Sequence, residues 1–189
     1  MSRPRKFCYD QRSLQIDMNI GRKMMNRASY GGLMLDTMLG RLARWLRILR
    51  FDARYYPKGP DEQLVALALR DSRVLVTKDR LLTLQRPPVA FYLLHSNVVR
   101  DQLLEIAPLL KFLEPSRVMG GLCTVCNARL LVTPKREVIG RIPTHVARSM
   151  KRFWTCPGCG RVYYQASHQR LMRRFLEDLN GFARYLEGG

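Results

Sequence analysis

The chain has 189 residues, 47% of them hydrophobic, and a formal net charge of +18. That length and apolar content suit one domain with a small module and exclude a wholly disordered tail. There is no apolar run long enough for a membrane span and no secretion signal behind the basic N-terminus, so the expectation is a cytoplasmic protein that does not enter membranes.

Residues 1–29 carry net +5 and show no sustained hydrophobic period. They read as a basic N-terminal extension whose order is left open, disorder included. From Leu33 the pattern becomes regular. A short strand "LML" ends at Asp36, and Met38, Leu39, Leu42, Trp45, Leu46 and Leu49 then recur at helical spacing. "FDARYY" (51–56) predicts a second strand, "PKGP" a turn, and Asp61 the opening of the helix "DEQLVALALR". "RVLV" predicts a third strand, a short helix follows Asp79, and "VAFYLL" (89–94) predicts a fourth strand. Asp101 is expected to open the helix "DQLLEIAPLLKFL", which Pro108 should kink or shorten.

Strands alternating with helices over 30–118 predict an α/β domain, its largely parallel sheet covered on both faces. The Pro/Gly-rich stretch "EPSRVMGG" marks a boundary, and 119–189 then form a cysteine-bearing module with a C-terminal helix. That helix carries Leu171, Phe175, Leu176, Leu179 and Phe182 on one face.

The positive charge is spread along the chain, net +5 over 30–118 and +8 over 119–189. A polyanion, most commonly nucleic acid, is the implied partner, and the excess of arginine over lysine favours planar contacts to phosphate. A merely basic surface is the plain alternative.

Four of the five cysteines fall in two Cys-x-x-Cys pairs, Cys123 with Cys126 and Cys156 with Cys159, 29 residues apart. Four thiolates complete a tetrahedral site that suits a structural zinc and leaves no open position. An iron–sulfur cluster or a redox pair is the weaker reading. His145 and His168 are not needed as ligands. His168 stands near Arg161, Tyr163, Tyr164 and Arg170, a mixture suited to base stacking and phosphate contact, or else to packing against the C-terminal helix.

Asp36, Asp61, Asp79 and Asp101 occur at predicted strand ends or helix starts. In a parallel sheet these positions lie along the edge where α/β proteins bind ligands, and carboxylates crowded there would attract Mg²⁺ or Mn²⁺. Each is equally a good helix cap, so the spacing alone leaves both roles open. Arg41, Arg44, Arg47 and Lys78 lie close in sequence and are candidates to hold a nucleic-acid backbone, or are simply a solvated face.

Together "LMLDTMLGRLARWLRILRFDARYY", "DEQLVALALRDSRVLVTKDRLL", "CTVCNARL" and "FWTCPGCGRVYYQASH" resemble the Mut-seven C-terminal RNase family. The resemblance runs from about residue 32 to 175. It implies a PIN-like, three-layer α/β/α nuclease domain with a central parallel sheet, followed by a zinc ribbon. It also implies metal-dependent hydrolysis of RNA at an acidic cluster. Asp36 matches the aspartate ending the first strand, Asp61 the acidic residue opening the next helix, with Glu62 able to share that role, and Asp79 the aspartate of the T-x-D motif. Asp101 matches more loosely. The four cysteines match the ribbon's zinc ligands. Three positions depart from the pattern: Arg50 and Ala166 stand where glycines are usual, and Tyr164 where tryptophan is common.

The leading expectation is a ribonuclease using Mg or Mn, with a structural zinc ribbon that aids RNA binding. The alternatives are a non-catalytic RNA-binding or ribosome-associated zinc-ribbon protein and, third, a nuclease or binding factor acting on DNA. The RNA target and the oligomeric state, a homodimer included, are left open.

Overall fold

A computed structural model describes residues 30–164 apart from 86 and 88. The N-terminal extension, the C-terminal helix, His168 and Arg170 lie outside the described residues.

The first part is an α/β unit. Strand β1 (Leu33–Leu35) passes through a 3-10 turn (Thr37–Leu39) into helix α1 (Gly40–Ile48), followed by β2 (Ala53–Tyr55) and α2 (Asp61–Arg70). Then come β3 (Val74–Thr77), α3 (Arg80–Leu84), β4 (Phe91–Leu93) and α4 (Val99–Leu110). The strands form one parallel sheet in the order β2-β1-β3-β4, with Leu33 opposite Ala53 and Val74, and Leu75 opposite Phe91.

Alternation along the strands sends side chains to two cores, as the pleat requires. Leu33, Leu35, Val74 and Val76 pack with Leu39, Leu42, Ala43 and Leu46 of the α1 region and Leu103, Ile106 and Leu110 of α4. Met34 and Leu75 face the other way, against Leu64 and Ala68 of α2 and Leu82 of α3. Fully burying such a leucine is worth about 1.5–3 kcal/mol, so both helical layers are held mainly by apolar burial.

Two helices end in left-handed residues. After α1, the Arg50 N–H donates to Arg47 O and the Phe51 N–H to Leu46 O, with Arg50 at φ 72. After α2, Ser72 (φ 49) and Arg73 repeat the arrangement onto Leu69 and Ala68. This is the Schellman ending, whose left-handed position favours glycine. The glycine usual at the place of Arg50 thus has a backbone reason.

Predicted elements and observed ones differ mainly at helix starts. Helix α2 is preceded by Pro60, and Asp61 is its first residue rather than its cap. Helix α4 begins at Val99, so Asp101 lies inside its first turn. Pro108 sits within α4, which stops two residues later, at Leu110.

The cysteine-bearing part contains β5 (Leu131–Thr133), a short α5 (Lys135–Val138), a 3-10 turn (Ile139–Arg141), α6 (Thr144–Ser149), β6 (Phe153–Thr155) and β7 (Val162–Tyr164). Its sheet is antiparallel in the order β5-β6-β7. Gly120 precedes it at φ +90, where an added Cβ would lie 2.3 Å from the Trp154 ring, so only glycine fits. Among the described residues no helix is long and apolar enough to cross a membrane.

Candidate metal centre and acidic edge

The two cysteine pairs fold into nearly identical knuckles. In the first, the Cys123 N–H donates to Ala128 O, the Asn127 N–H to Cys123 O and the Cys126 N–H to Cys123 Sγ at 3.5 Å. In the second, the Cys156 N–H donates to Arg161 O, the Gly160 N–H to Cys156 O and the Cys159 N–H to Cys156 Sγ at 3.4 Å. Asn127 (φ 69) and Gly160 (φ 72) are the matching left-handed residues that close each turn. Each knuckle therefore aims two sulfurs and stabilising N–H groups inward. The ligand sulfurs of Cys123, Cys126, Cys156 and Cys159 all lie within 4.8 Å of one another. Four clustered thiols with N–H donors suit a closed tetrahedral zinc site. The Tyr163 hydroxyl also meets Cys123 Sγ at 3.1 Å.

Arg47 and Asn127 join this ribbon to the α/β sheet. Arg47, four residues after the buried Ala43, falls on the inward flank of α1 and is 5% exposed. Its Nε donates to Ala53 O (2.7 Å), and its Nη1 donates to Thr124 O (3.2 Å) and Val125 O (2.8 Å) inside the first knuckle. Asn127 Oδ1 accepts from the Ala53 N–H at 3.1 Å, while its Nδ2 donates to Asp52 Oδ1 at 2.6 Å. Asp52 is in turn held by Arg73 through Nη1 at 2.7 Å and Nη2 at 3.1 Å. The open edge of β2 is thereby covered, as an exposed strand edge must be to avoid stray pairing. Arg47 is occupied inside the protein, so the reading of it as a nucleic-acid contact does not fit. Burial lowers its pKa, although the charge is retained because guanidinium is effectively always protonated.

At the other end of the sheet, strand order reverses between β1 and β3. Ligands of open α/β sheets bind outside the carboxyl ends of the strands at such a switch point. Asp36 follows β1 and Asp79 closely follows β3. The buried Thr77 hydroxyl connects them: it donates to Asp36 Oδ2 at 2.7 Å and accepts from the Asp79 N–H at 2.9 Å. Asp36 Oδ1 accepts from the Thr37 N–H. Asp79 Oδ1 accepts from the Leu81 N–H (2.7 Å) and the Leu82 N–H (3.2 Å), capping α3. Asp79 Oδ2 has no hydrogen bond among the described residues.

Asp61 makes no capping bond in α2. Its pKa is raised by burial first, then by the carboxylates of Asp79, Asp36 and Glu62. Three carboxylates therefore act on Asp61, and Asp101, exposed on α4, is not among them. The cysteine group is the sole set of three or more potential ligands among the described residues whose atoms all lie within 4.8 Å, so the carboxylates are less tightly gathered than the thiols.

Beside this edge, Met38, Arg41, Asn97 and Val98 help to line a cavity of about 490 Å³. Lys78 Nζ donates to Asn97 Oδ1 close by. Arg44 and Arg161 are exposed and line a second cavity, of about 430 Å³, between α1 and the ribbon. Tyr164 also reaches that cavity, with its ring packed at 59° to Phe153, 6.5 Å between centroids. Thr77 and Asn127 were not singled out individually from sequence. The T-x-D spacing pointed to the first, and the residue after Cys126 in "CTVCN" was the available sign of the second.

A parallel four-stranded sheet with helices, joined to an antiparallel sheet that carries four clustered cysteines, defines an α/β protein whose cysteines suit a zinc ion. The chain belongs to the Mut7-C RNAse domain family, whose model matches residues 31–176. That match spans both parts, and the coarse function it carries is that of a nuclease acting on RNA. No curated protein and no solved structure matches the chain significantly.

Proposed function

We propose that the chain is a metal-dependent ribonuclease with a PIN-like nuclease domain over 30–118, and a structural zinc ribbon in 119–189 that aids RNA binding. The observation that supports this reading is the Thr77 hydroxyl, which joins the Asp36 carboxylate to the backbone of Asp79 at the switch point, with both carboxylates also acting on Asp61. Glu62 adds to the same negative field, and Asp101 is a more distant candidate. The donors are all hard oxygens without histidine or cysteine, a set that fits Mg²⁺ or Mn²⁺. Asp36, Asp61 and Asp79 would hold the cation, which when bound supplies Lewis-acid polarisation of the phosphodiester and activates water.

The chain's own residues provide the rest. Thr77 fixes the Asp36 carboxylate and the backbone of Asp79, so that two ligands are oriented before substrate arrives. Arg41 and Lys78, near the edge, suit the RNA backbone. The ribbon, with four thiolates and no open coordination position, is structural rather than catalytic.

Asparagine caps a helix as well as aspartate. Asp79→Asn should therefore keep the fold while lowering Mg²⁺- or Mn²⁺-dependent cleavage of single-stranded RNA by about 100-fold or more. Cleavage at the wild-type rate in a purified variant would remove the catalytic assignment. A second reading, a non-catalytic RNA-binding protein, is favoured by the capping bonds of Asp36 and Asp79. It requires salt-sensitive RNA binding with no turnover on adding either cation.

A further inference from the structure

The cavity of about 430 Å³ between the two parts has a lining that the acidic edge does not use. Arg44 comes from α1, Arg141 from the 3-10 turn and Arg161 from the second knuckle. No aspartate or glutamate lines the space, and none of these arginines forms an ion pair among the described residues. Arg141 spends one of its donors on Gly160 O; a guanidinium has five. Residues 119–164 hold eight basic residues against one acidic, so no neighbouring excess of carboxylates neutralises the group.

Guanidinium groups gathered on a concave surface repel one another until an anion enters. The rest of the lining combines the apolar side chains of Ile142, Pro143 and Val162 with Thr124, Gly160, Tyr163 and Tyr164. A free phosphate would use only the arginines. A nucleotide offers both an anionic phosphate and a flat, weakly polar base, and single-stranded RNA presents unstacked bases to such surfaces.

We propose that this cavity is a subsite for one nucleotide of a single-stranded RNA substrate, its phosphate held by Arg44, Arg141 and Arg161 and its base against Ile142, Pro143 and Val162. Arg41 and Arg44 stand three residues apart in α1, about 4.5 Å along the axis and on one face. Arg41 lines the cavity beside the acidic edge and Arg44 the one beside the ribbon. The helix thus links the two cavities by a basic track. The ribbon's role becomes that of a grip which holds the strand at a set distance from the acidic edge. This subsite rests on the ribonuclease reading for the identity of its ligand.

The test is fluorescence anisotropy with labelled single-stranded RNA, on the full zinc-loaded chain carrying Asp79→Asn, over a series of salt concentrations. Arg141→Gln with Arg161→Gln should weaken binding roughly tenfold or more. The slope of log K against log salt should become shallower by up to about 0.7, the value for loss of the one phosphate contact. Lys151→Gln with Arg152→Gln removes the same charge from the ribbon outside the cavity and should have a clearly smaller effect. Arg161→Gln alone, from a side chain with no partner among the described residues, guards against a folding artefact, with zinc content measured on every variant. Equal losses in the two double variants, or an unchanged slope, would overturn the subsite. So would a nucleoside monophosphate that competes as well as the RNA. Cleavage by the wild-type chain with Mg²⁺ is scored separately: arginine-dependent binding without cleavage removes the nuclease reading and leaves the subsite standing, and cleavage without arginine dependence does the reverse.

Discussion

Asp79 divides its work between two oxygens: Oδ1 caps α3, and Oδ2 is left without a hydrogen bond among the described residues. The question of cap or ligand therefore has no single answer for the four aspartates. Asp36 and Asp79 cap, whereas Asp61 is placed one residue too far into its helix to do so. Asp61 instead titrates above its ordinary value of 3.8, because burial and three neighbouring carboxylates oppose its charge. A folded-state pKa above the unfolded one costs stability once pH exceeds the unfolded value, and the cost grows until the folded value is passed. Asp61→Asn should thus stabilise the protein at neutral pH without added Mg²⁺ or Mn²⁺, the gain vanishing below about pH 3.8. Denaturant melts across pH will check this, and a variant less stable than wild type at neutral pH would show that the carboxylates do not press on Asp61. Arg50 holds a φ of 72 that glycine adopts freely. Relief of about 1–2 kcal/mol of left-handed strain, less about 0.4–1 kcal/mol of extra unfolded-state entropy, leaves Arg50→Gly more stable by about 0.5–1 kcal/mol.

Helix α1 shows how one element serves several ends. Its periodic leucines were legible because a 3.6-residue repeat needs no partner to be recognised. The fate of its arginines was not, since exposure depends on what packs beside the helix. Arg41 and Arg44 remain on the surface, and Arg47 is buried because the first knuckle docks over it. Replacing Arg47 with Met keeps the apolar stem but deletes three hydrogen bonds to backbone carbonyls. The expected cost is about 3 kcal/mol, at about 1 kcal/mol per bond, read as a lower midpoint in urea. Lysine should not restore it, because a compact ammonium lacks the planar fork that reaches Ala53 and the knuckle together. An undiminished midpoint in Arg47→Met would mean that the docking contact contributes nothing.

For the whole molecule, the ribbon and the sheet are one hydrogen-bonded structure through Arg47, Asn127 and Asp52. Removing zinc should therefore reach beyond the ribbon. Hydrogen exchange after chelation is expected to expose the knuckle amides and also the Ala53 amide, whose partner is Asn127 Oδ1, while β1 and β3 stay protected. An Ala53 amide unaffected by chelation would separate the two parts. Metal analysis should return about one zinc per chain, as four thiolates imply. From the sequence alone came the alternation of strands and helices and the pairing of the four clustered cysteines, because periodicity and Cys-x-x-Cys spacing are local properties of the chain. The tertiary structure alone decided which carboxylates act on Asp61, that Thr77 ties Asp36 to Asp79, and that Arg47 turns inward while Arg44, Arg141 and Arg161 line one cavity. Those relations depend on strand order and on the docking of the ribbon, which bring together residues up to 117 positions apart and leave no mark on the spacing of either segment.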